Sequence, residues 1–472
     1  MAEKLNEWRP IMRVLIFGVG RAYKNRKYYF DQNTDIEIVG FIDNNQSKQG
    51  FLFEGIRVYS PYEIGNLSYD KIILLSNLYY ESQKAQMVEL GVNEECIWTF
   101  YHLKKYGVNH EKFLDNRICS KNDILIITYR FGIDGGSLAT VYLAEALQTN
   151  DRKVCIATDY ITEEARRIVD KHGINLVIFK SLPYMSETFI EYTSKFKYVI
   201  VNTVPMLPSA MELFERRIPT CVWVHEGEEI WYQAVQRVLE REDVSSKLPV
   251  VFVSSVSKAL YMKYYLSDNN CIIPVALPDS KTNEVKGNKK RIKVVVIGAN
   301  TLNKNPILII DAVKCIQKEY REMIEVDFIG IDENDGIEIR KKAEKVVRVN
   351  FHGVVPPEEV HEFLEDADCV VCTSLRECLP TTAVEGFMHG CITVVPDSAG
   401  ISDYINDRIN GYLYRVNDKE SLSECLKDII EKRNHSEEMR LLSRKLYEKF
   451  FQYDSLRESF LKFLKENWED TI

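Results

Sequence analysis

The sequence lacks any apolar run that could cross a membrane. None of the 472 residues lies in an uncharged apolar stretch approaching about 18 residues, and runs such as 72–75 have the length of a strand. An excess of positive charge is absent too, because 61 Lys and Arg face 70 Asp and Glu, a net charge of −9. This balance argues against a nucleic-acid partner, which clustered Lys and Arg would bind. The first ten residues hold no apolar stretch typical of a signal peptide, so we expect a cytoplasmic protein.

No metal-binding pattern is present either. Among the 11 cysteines there is one C-x-x-C, Cys369 and Cys372, in a strand-like run where residues three apart point to opposite faces. A second C-x-x-C, which a zinc site would need, is missing, so we interpret the pair as core residues. The acidic pair Asp366 and Asp368 falls at the end of a helical pattern rather than after a strand. We therefore expect no metal and no required cofactor.

Short β-branched runs alternate with helical patterns almost throughout, which is typical of β-α units and parallel sheets. The alternation forms three blocks, which begin near Met12, Asp123 and Arg291, and it becomes wholly helical between Asp418 and Trp468. The predicted strands include 13–17, 37–43 and 71–75 in the first block, 124–128 and 198–202 in the second, and 348–351 in the third. Polar segments at 109–121 and 280–291 are the expected linkers. We predict an α/β fold with an accessory Rossmann-like domain and two doubly wound domains facing a cleft, the last including the C-terminal helices: 1–116, 120–282 and 289–472.

The strand-end loop with the most chemistry is 374–390, and ligands of open parallel sheets bind beyond the carboxyl ends of strands. A helix should start in this loop, and its free N–H groups would form an anion site. The residues at that start are Leu379, Pro380, Thr381 and Thr382. Glu377, just before the helix, can accept the hydroxyls of one sugar, and Glu385 can accept those of a ribose. This arrangement suits a nucleotide-sugar, whereas the alternative is two exposed carboxylates at one helix start.

The spacing of Glu377 and Glu385 resembles the E-x7-E pattern of retaining glycosyltransferases with the GT-B fold, the family 4 group. Further landmarks follow in the family's order over about 123–451. Gly298 followed by Lys304 looks like the glycine-then-lysine loop of that family. Gly135-Gly136 resembles its acceptor-side glycine loop, and His225 its strand-end histidine.

The resemblance implies transfer of a sugar from a nucleoside-diphosphate sugar, most often a UDP-sugar, to a hydroxyl of a glycan with retention of configuration. Glu377, Lys304 and His225 would be the catalytic residues. The donor would be bound by Gly136, Gly298, Lys304, Glu377, Leu379, Pro380, Thr381, Thr382 and Glu385. Enzymes of this kind build bacterial surface polysaccharides or glycoconjugates, so we expect a lipid-linked saccharide acceptor and weak membrane-surface contact. Aromatic residues beside lysines at 184–197 and 258–265 give modest support for that contact. The stronger interpretation is that 257–265 packs on its own sheet, and the net charge of −9 opposes binding to anionic lipids.

Two positions depart from the family pattern. Ala299 stands where an Arg is frequent, and Asn305 where a glycine is usual. Arg376, beside Glu377, could replace the missing Arg. The departures leave a second hypothesis open, a non-catalytic GT-B subunit that binds a partner transferase or a glycan. The sequence also leaves the oligomeric state open, a homo-oligomer included.

The first block carries its own weaker motif. Gly18 and Gly20 follow a strand and Asp43 lies further on, as in dinucleotide-binding sites, but Tyr23 occupies the third glycine position. We therefore expect a fold without a bound cofactor, and a domain that sugar transfer does not need, because the donor landmarks all lie beyond Asp123. Near His225, the carboxylates of 226, 228 and 229 either contact the acceptor or form a solvated turn.

Overall fold

The computed structural model describes residues 11–31, 33–108, 120–280, 291–298, 301–332, 334–433 and 436–469. Most of both predicted linkers, and Ala299, lie outside these residues. Three separate sheets organise the chain in sequence order. We call each sheet with its surrounding helices the first, second and third domain.

The first domain has six strands in the order β3-β4-β2-β1-β5-β6. All neighbouring pairs are parallel except β3 and β4. The apolar runs predicted as strands at 13–17, 37–43 and 71–75 are the central ones, while the short edge strands had no clear pattern. The elements are β1 Met12–Phe17, α1 Arg21–Lys24, α2 Lys27–Asp31, β2 Ile36–Ile42, β3 Leu52–Phe53, β4 Ile56–Tyr59, β5 Lys71–Leu74, α3 Tyr80–Glu89, β6 Ile97–Thr99 and α4 Phe100–Gly107.

The second domain is a seven-stranded parallel sheet in the order β13-β12-β11-β10-β7-β8-β9. Its central strands are buried on both faces, as parallel sheets covered by helices require. The elements are β7 Ile124–Thr128, α5 Gly135–Leu147, β8 Val154–Thr158, α6 Glu163–Lys171, β9 Asn175–Ile178, α7 Glu187–Thr193, β10 Tyr198–Asn202, α8 Leu207–Glu215, β11 Thr220–Val224, α9 Glu229–Gln236, β12 Val250–Phe252, α10 Ser255–Tyr264 and β13 Asn270–Ile272.

The third domain is a six-stranded parallel sheet in the order β16-β15-β14-β17-β18-β19. Cys369 and Cys372 are buried in different cores, on opposite sides of this sheet, as their spacing predicted. The elements are β14 Ile292–Ile297, α11 Ile307–Lys314, α12 Lys318–Arg321, β15 Ile324–Ile329, α13 Ile337–Ala343, β16 Arg348–Phe351, α14 Pro357–Asp366, β17 Cys369–Val371, α15 Thr381–Met388, β18 Ile392–Pro396, β19 Tyr412–Tyr414, α16 Lys419–Glu431, α17 Ser436–Leu446 and α18 Tyr453–Trp468.

The last helix, α18, packs on the second domain rather than on the third, to which the prediction had assigned all C-terminal helices. The ring of Phe460 lies edge-on against Trp223, with 5.4 Å between centroids. The indole of Trp468 donates to the carbonyl of Thr220 at 3.1 Å. The helix alternates apolar and charged residues and could have packed on either sheet, so its local pattern carried no information on the partner. Helix α18 follows the third domain in the chain and packs on the second, so it links the two halves of the cleft.

The first domain is attached to the second by a buried ion pair. Lys104 Nζ of α4 lies 2.5 Å from Asp159 Oδ2, and both side chains are fully buried. The ammonium of Lys104 also donates to the carbonyl of Leu182, and Tyr28 OH donates to Asp159 at 2.9 Å. Tyr28 stacks on Tyr160, with centroids 4.5 Å apart. A buried pair of this kind fixes the relative placement of the two domains, because breaking it leaves a charge without compensation.

In the two segments considered for membrane contact, 184–197 and 258–265, most of the aromatic side chains are buried. Tyr261, Tyr264 and Tyr265 are buried in the core of the second domain, as are Phe189 and Tyr192 of the other segment. The burial confirms that 257–265 packs in its own domain, the interpretation that the sequence favoured, so these aromatic residues do not form an exposed amphipathic face. Within the described ranges, no helix has both the length and the hydropathy needed to span a bilayer.

Candidate functional site

A cavity of about 560 Å³ opens between the second and third domains, at the carboxyl ends of their strands. Gly136, His225 and Glu226 line it from the second domain, and Glu377 and Arg376 line it from the third. Arg26 of the first domain forms part of the same wall. The cavity thus lies where a doubly wound pair is expected to bind its ligand.

An ion pair joins the two third-domain loops at this cavity. Lys304 Nζ, in the loop after β14, lies 2.5 Å from Glu377 Oε1, in the loop after β17. The lysine stem runs past Gly298, where an added Cβ would meet it at 3.5 Å, an ordinary van der Waals distance. The φ of Gly298 is +138°, which side-chain-bearing residues rarely adopt, so the backbone at the start of this loop requires glycine. The structure thus brings together three residues that the sequence had predicted at one site.

The backbone conformation at Asn305 explains why Asn can replace the glycine that is usual in the family. Its φ is +44°, in the left-handed region that glycine favours and that Asn tolerates better than most residues. The Asn305 side chain donates to Asn417 at 3.0 Å, which supports the turn. Asn303 braces the facing loop, since its side chain accepts from Arg376 N at 3.2 Å and donates to Arg376 O at 3.1 Å. The loop geometry is therefore maintained without the glycine. Arg376 lies in the cavity wall, where a residue replacing the family's Arg would have to lie.

The helix start after Glu377 forms as expected. Pro380 precedes the first residue of α15, and the N–H groups of Thr381 and Thr382 have no acceptor within the helix. Leu379 and Pro380 are buried and fix the direction of the start. Thr381 and Thr382 are partly exposed. Helix α15 therefore presents free donors near the Lys304–Glu377 pair, as an anion site needs.

Glu385, one turn into α15, lies outside the lining of the cavity but in a desolvated position. Burial raises the pKa of its carboxyl to about 7. It lies near Tyr142 of α5, and its charge contributes to raising the pKa of that phenol to about 12. No ion pair with Glu385 occurs in the described part of the chain. Hydroxyl donors of a ligand would stabilise the charged form of this carboxylate, because they would restore the hydrogen bonds lost on burial.

His225 ends β11 and faces the cavity. Burial lowers the pKa of its imidazole to about 3, so the ring is neutral at pH 7. The ring contacts Trp223 edge-on at 4.1 Å between centroids. Its Nε2 is buried and finds no hydrogen-bond partner among the described residues. Such an atom in a cavity wall is available to a ligand hydroxyl.

The three carboxylates after His225 differ in their burial and in their partners. Glu226 accepts from Val204 N at 3.1 Å and from His225 N at 3.2 Å, and burial raises its pKa to about 7. Glu228 is exposed at the cavity mouth. Glu229 forms an ion pair with Lys263 at 2.7 Å on the outer surface. Only Glu226 combines burial with contact to the cavity, a distinction that sequence spacing alone had left open.

The two halves of the cleft touch close to Glu377. Gly400 N donates to Glu377 O at 3.1 Å, and a Cβ on Gly400 would overlap the carbonyl of Cys378 and the side chain of Ser254. A Cβ on Gly227 would meet Cys378 Sγ at 2.9 Å. Glycine at position 227 therefore lets second-domain backbone approach Cys378, next to Glu377, and glycine at position 400 of the third domain leaves room for Ser254 of the second.

In the glycine motif of the first domain, Tyr23 and Asp43 already contact other residues of the same domain. Tyr23, at the third glycine position, is 2% exposed and packs edge-on against Phe41 at 4.9 Å between centroids. Asp43 accepts from Val19 N at 3.3 Å and from Lys48 Nζ at 3.0 Å. A dinucleotide would have to displace these contacts.

Comparison with known proteins agrees with this geometry. Residues 279–445 match the sequence profile of "Glycosyl transferases group 1", and residues 10–98 match that of "C2185-like, N-terminal". No curated protein sequence gives a significant match. The region that matches the group 1 glycosyl transferase profile contains Lys304, Glu377 and Glu385.

Solved structures with similar folds include HepE from Anabaena, crystallised with UDP and glucose, at 15% identity and a TM-score of 0.60, covering 73% of this chain and 100% of that one. The sucrose-phosphate synthase of Thermosynechococcus elongatus is 15% identical with a TM-score of 0.56, covering 74% and 100%. WaaG, a glycosyltransferase involved in lipopolysaccharide biosynthesis, is 15% identical with a TM-score of 0.51, covering 72% and 99%. These likenesses confirm the predicted GT-B fold, with the Rossmann-like first domain as an addition.

Proposed function

We propose that this chain is a retaining glycosyltransferase that moves a sugar from a nucleoside-diphosphate sugar to a hydroxyl of a glycan acceptor. The observation that carries the proposal is the 2.5 Å contact of Lys304 Nζ with Glu377 Oε1, beside a free helix start and at the mouth of an inter-domain cavity. A UDP-sugar is the proposed donor, since HepE structures hold UDP or UDP-glucose on a similar fold.

In the proposed reaction, the bond between the sugar C1 and the diphosphate oxygen breaks while a bond from C1 to the acceptor oxygen forms. Negative charge grows on the departing diphosphate. Lys304 and the N–H groups at the start of α15 face that charge and lower its energy, which is electrostatic transition-state stabilisation. The leaving phosphate oxygen takes the acceptor proton, so no protein base is required, and both reacting bonds lie on one face of the sugar.

The remaining groups position the substrates. Glu377 accepts hydroxyl donors of the transferred sugar once the diphosphate shares Lys304. Glu385 accepts the ribose hydroxyls, which restore the hydrogen bonding that its burial removed. The neutral imidazole of His225 offers Nε2 to a sugar hydroxyl from the opposite wall. Arg376 adds positive charge to the cavity wall and is the proposed substitute for the Arg that the family frequently has at the position of Ala299.

The acceptor is proposed to be a saccharide, free or lipid-linked, bound on the second-domain side of the cavity. The alternative, a subunit that binds glycans without transferring sugar, makes the opposite prediction for turnover. Incubation of the full chain with a panel of UDP-, GDP- and ADP-sugars, with release of nucleoside diphosphate as the readout, separates the two. Release with one or more donors, lost in Lys304→Ala, supports transfer. Donor binding without release from any donor, in the presence of a saccharide panel, would favour the non-catalytic subunit.

A further inference from the structure

One end of the cavity is built by the first domain, which the donor site does not use. Arg26 lines the cavity, two residues before Tyr28, whose ring stacks on Tyr160 of the second domain. Tyr28 OH also donates to Asp159, the carboxylate paired with Lys104. Arg26 is therefore held at the cavity by the buried contact between the two domains.

A second guanidinium lies at the same end. Arg130 follows β7, with φ of +32°, and its N–H donates to Asp159 Oδ1 at 2.8 Å. Its guanidinium lies over the ring of Tyr160, 5.7 Å from the centroid. Asp159 and Tyr160 thus organise both arginines, Arg130 directly and Arg26 through Tyr28. A non-glycine residue held at positive φ beside a cavity indicates that the surrounding contacts fix its placement.

Neither arginine has a charged partner. In the part of the chain that the structure describes, Arg26 and Arg130 form no ion pair. Arg26 Nη1 donates to Ala22 O at 3.1 Å, but its Nε is buried without a hydrogen bond. The nearby carboxylates are committed elsewhere, since Asp159 pairs with Lys104 and Asp134 caps α5 by accepting from Ser137 N at 3.1 Å. Two partly buried cations without anions, on one cavity wall, are a site for an external anion.

Resting on the proposed function, we propose that Arg26 and Arg130 bind the phosphate group of a phosphorylated saccharide acceptor. Guanidinium groups fit phosphate oxygens in pairs of parallel hydrogen bonds, and two of them match its charge. Trp231 lines the same cavity and can pack against a sugar ring. The donor diphosphate is held elsewhere, at Lys304 and α15, so the two phosphate sites are separate. The first domain is then the element that selects the acceptor.

Acidic side chains line other parts of the cavity wall. Glu226 and Glu228 come from the loop after β11 and Glu377 from the loop after β17, and all three would repel an anionic group. The phosphate is therefore directed towards Arg26, and the hydroxyls of the saccharide towards Thr203, His225 and Glu226. Thr203 Oγ1, like His225 Nε2, is buried and has no hydrogen-bond partner among the described residues.

The test is binding of N-acetylglucosamine 1-phosphate and of N-acetylglucosamine to the full chain, by ligand-observed NMR with saturating UDP to occupy the donor site. The sugar phosphate should bind at least about tenfold more tightly than the plain sugar. Arg26→Gln and Arg130→Gln should each remove most of that difference, whereas Arg21→Gln, an exposed arginine of α1, should not. Farnesyl phosphate tests a lipid-borne phosphate, and glucuronate tests a carboxylate in its place.

The outcomes separate this inference from the proposed function. Equal binding of the two sugars, or phosphate-dependent binding that survives both substitutions, would overturn the inference even if donor turnover is found. If Arg26→Gln does not fold, Arg130→Gln decides alone, because the substitution keeps the backbone N–H bond to Asp159 and removes a guanidinium that lies over the face of Tyr160. Tighter binding of glucuronate than of the sugar phosphate would also contradict the assignment. UDP affinity and donor hydrolysis should stay within about twofold of wild type in both variants, so a failure of donor use is a separate result.

Discussion

Lys304 and Glu377, 73 residues apart in the sequence, form an ion pair of 2.5 Å between two strand-end loops. The lysine side chain is 37% exposed and the carboxylate 18%. The group that would neutralise a leaving diphosphate is therefore adjacent to the group that would hold the sugar. A bound donor would draw Lys304 towards its diphosphate and Glu377 towards its sugar. Donor binding would therefore place both groups at the bond that breaks.

Replacement of Glu385 by Gln should weaken nucleoside-diphosphate binding. A carboxylate that accepts ribose hydroxyls contributes about 1.5–3 kcal/mol per hydrogen bond, which corresponds to roughly tenfold or more in affinity. Calorimetric titration of UDP into both proteins measures the change. Glu359→Gln, on the exposed surface of α14, is the matched control. A Glu385→Gln protein with the same UDP affinity as the control would remove Glu385 from the donor site.

Glu226→Gln should stabilise the protein at alkaline pH. Burial raises the folded-state pKa of Glu226 to about 7, above its ordinary value of 4.5, so the folded protein holds a proton that the unfolded chain releases. Stability therefore falls as pH rises from about 4.5 to 7 and the penalty remains constant above that range, on the order of 1–3 kcal/mol. Gln carries no such penalty.

Thermal unfolding of wild type and Glu226→Gln at pH 5 and pH 8 measures this effect. The variant should melt a few degrees higher at pH 8 and show a smaller advantage at pH 5. Glu228→Gln, an exposed change in the same loop, should show neither shift. An equal difference in melting temperature at both pH values would contradict the raised pKa.

Lys104→Met should weaken attachment of the first domain. The change leaves Asp159 buried with only Tyr28 OH and Arg130 N as partners, at an expected cost of about 3–5 kcal/mol. The double variant Lys104→Met with Asp159→Asn should recover much of that loss, because no unpaired charge remains. Limited proteolysis of the 109–121 segment, compared among the three proteins, reports the attachment. Equal cleavage rates in all three would show that the ion pair does not hold the domains together.

Gly400→Ala should disturb the Glu377 loop. The added Cβ would overlap the carbonyl of Cys378 and the side chain of Ser254, so the loop or the domain contact must move, at about 1–3 kcal/mol. Melting temperature and UDP affinity should both fall. Gly65→Ala, where a Cβ would meet open space, is the control. A Gly400→Ala protein that matches this control in both measurements would show that the contact is not needed.

The sequence predicted the parts of this molecule that local patterns determine. The strands at Ile124–Thr128, Tyr198–Asn202 and Arg348–Phe351 have the predicted limits, since buried parallel strands are short apolar runs bounded by polar residues. Glu377 and Lys304 were predicted at one site because both match landmarks of the glycosyltransferase family that the sequence resembles. Their direct contact was not predictable, because side-chain direction depends on loop conformation.

Other features depend on contacts between distant elements and had no local signal. Arg26 lies in an ordinary polar turn, and only the docking through Lys104 and Asp159 places it at the cavity. Helix α18 packs on the second domain although its own pattern fits any sheet. Pattern gives the buried face of an element and not the identity of what buries it.

The most direct test of the account is steady-state kinetics of the Lys304–Glu377 pair with the best nucleotide-sugar. In Glu377→Gln and Lys304→Ala, kcat should fall about 100-fold or more, while donor affinity, measured by titration, should change far less. Glu359→Gln should retain wild-type kinetics. That result would show that both groups act mainly as the leaving group departs. Wild-type kcat in either variant, with only KM raised, would show ordinary substrate binding and contradict the proposed site of transfer.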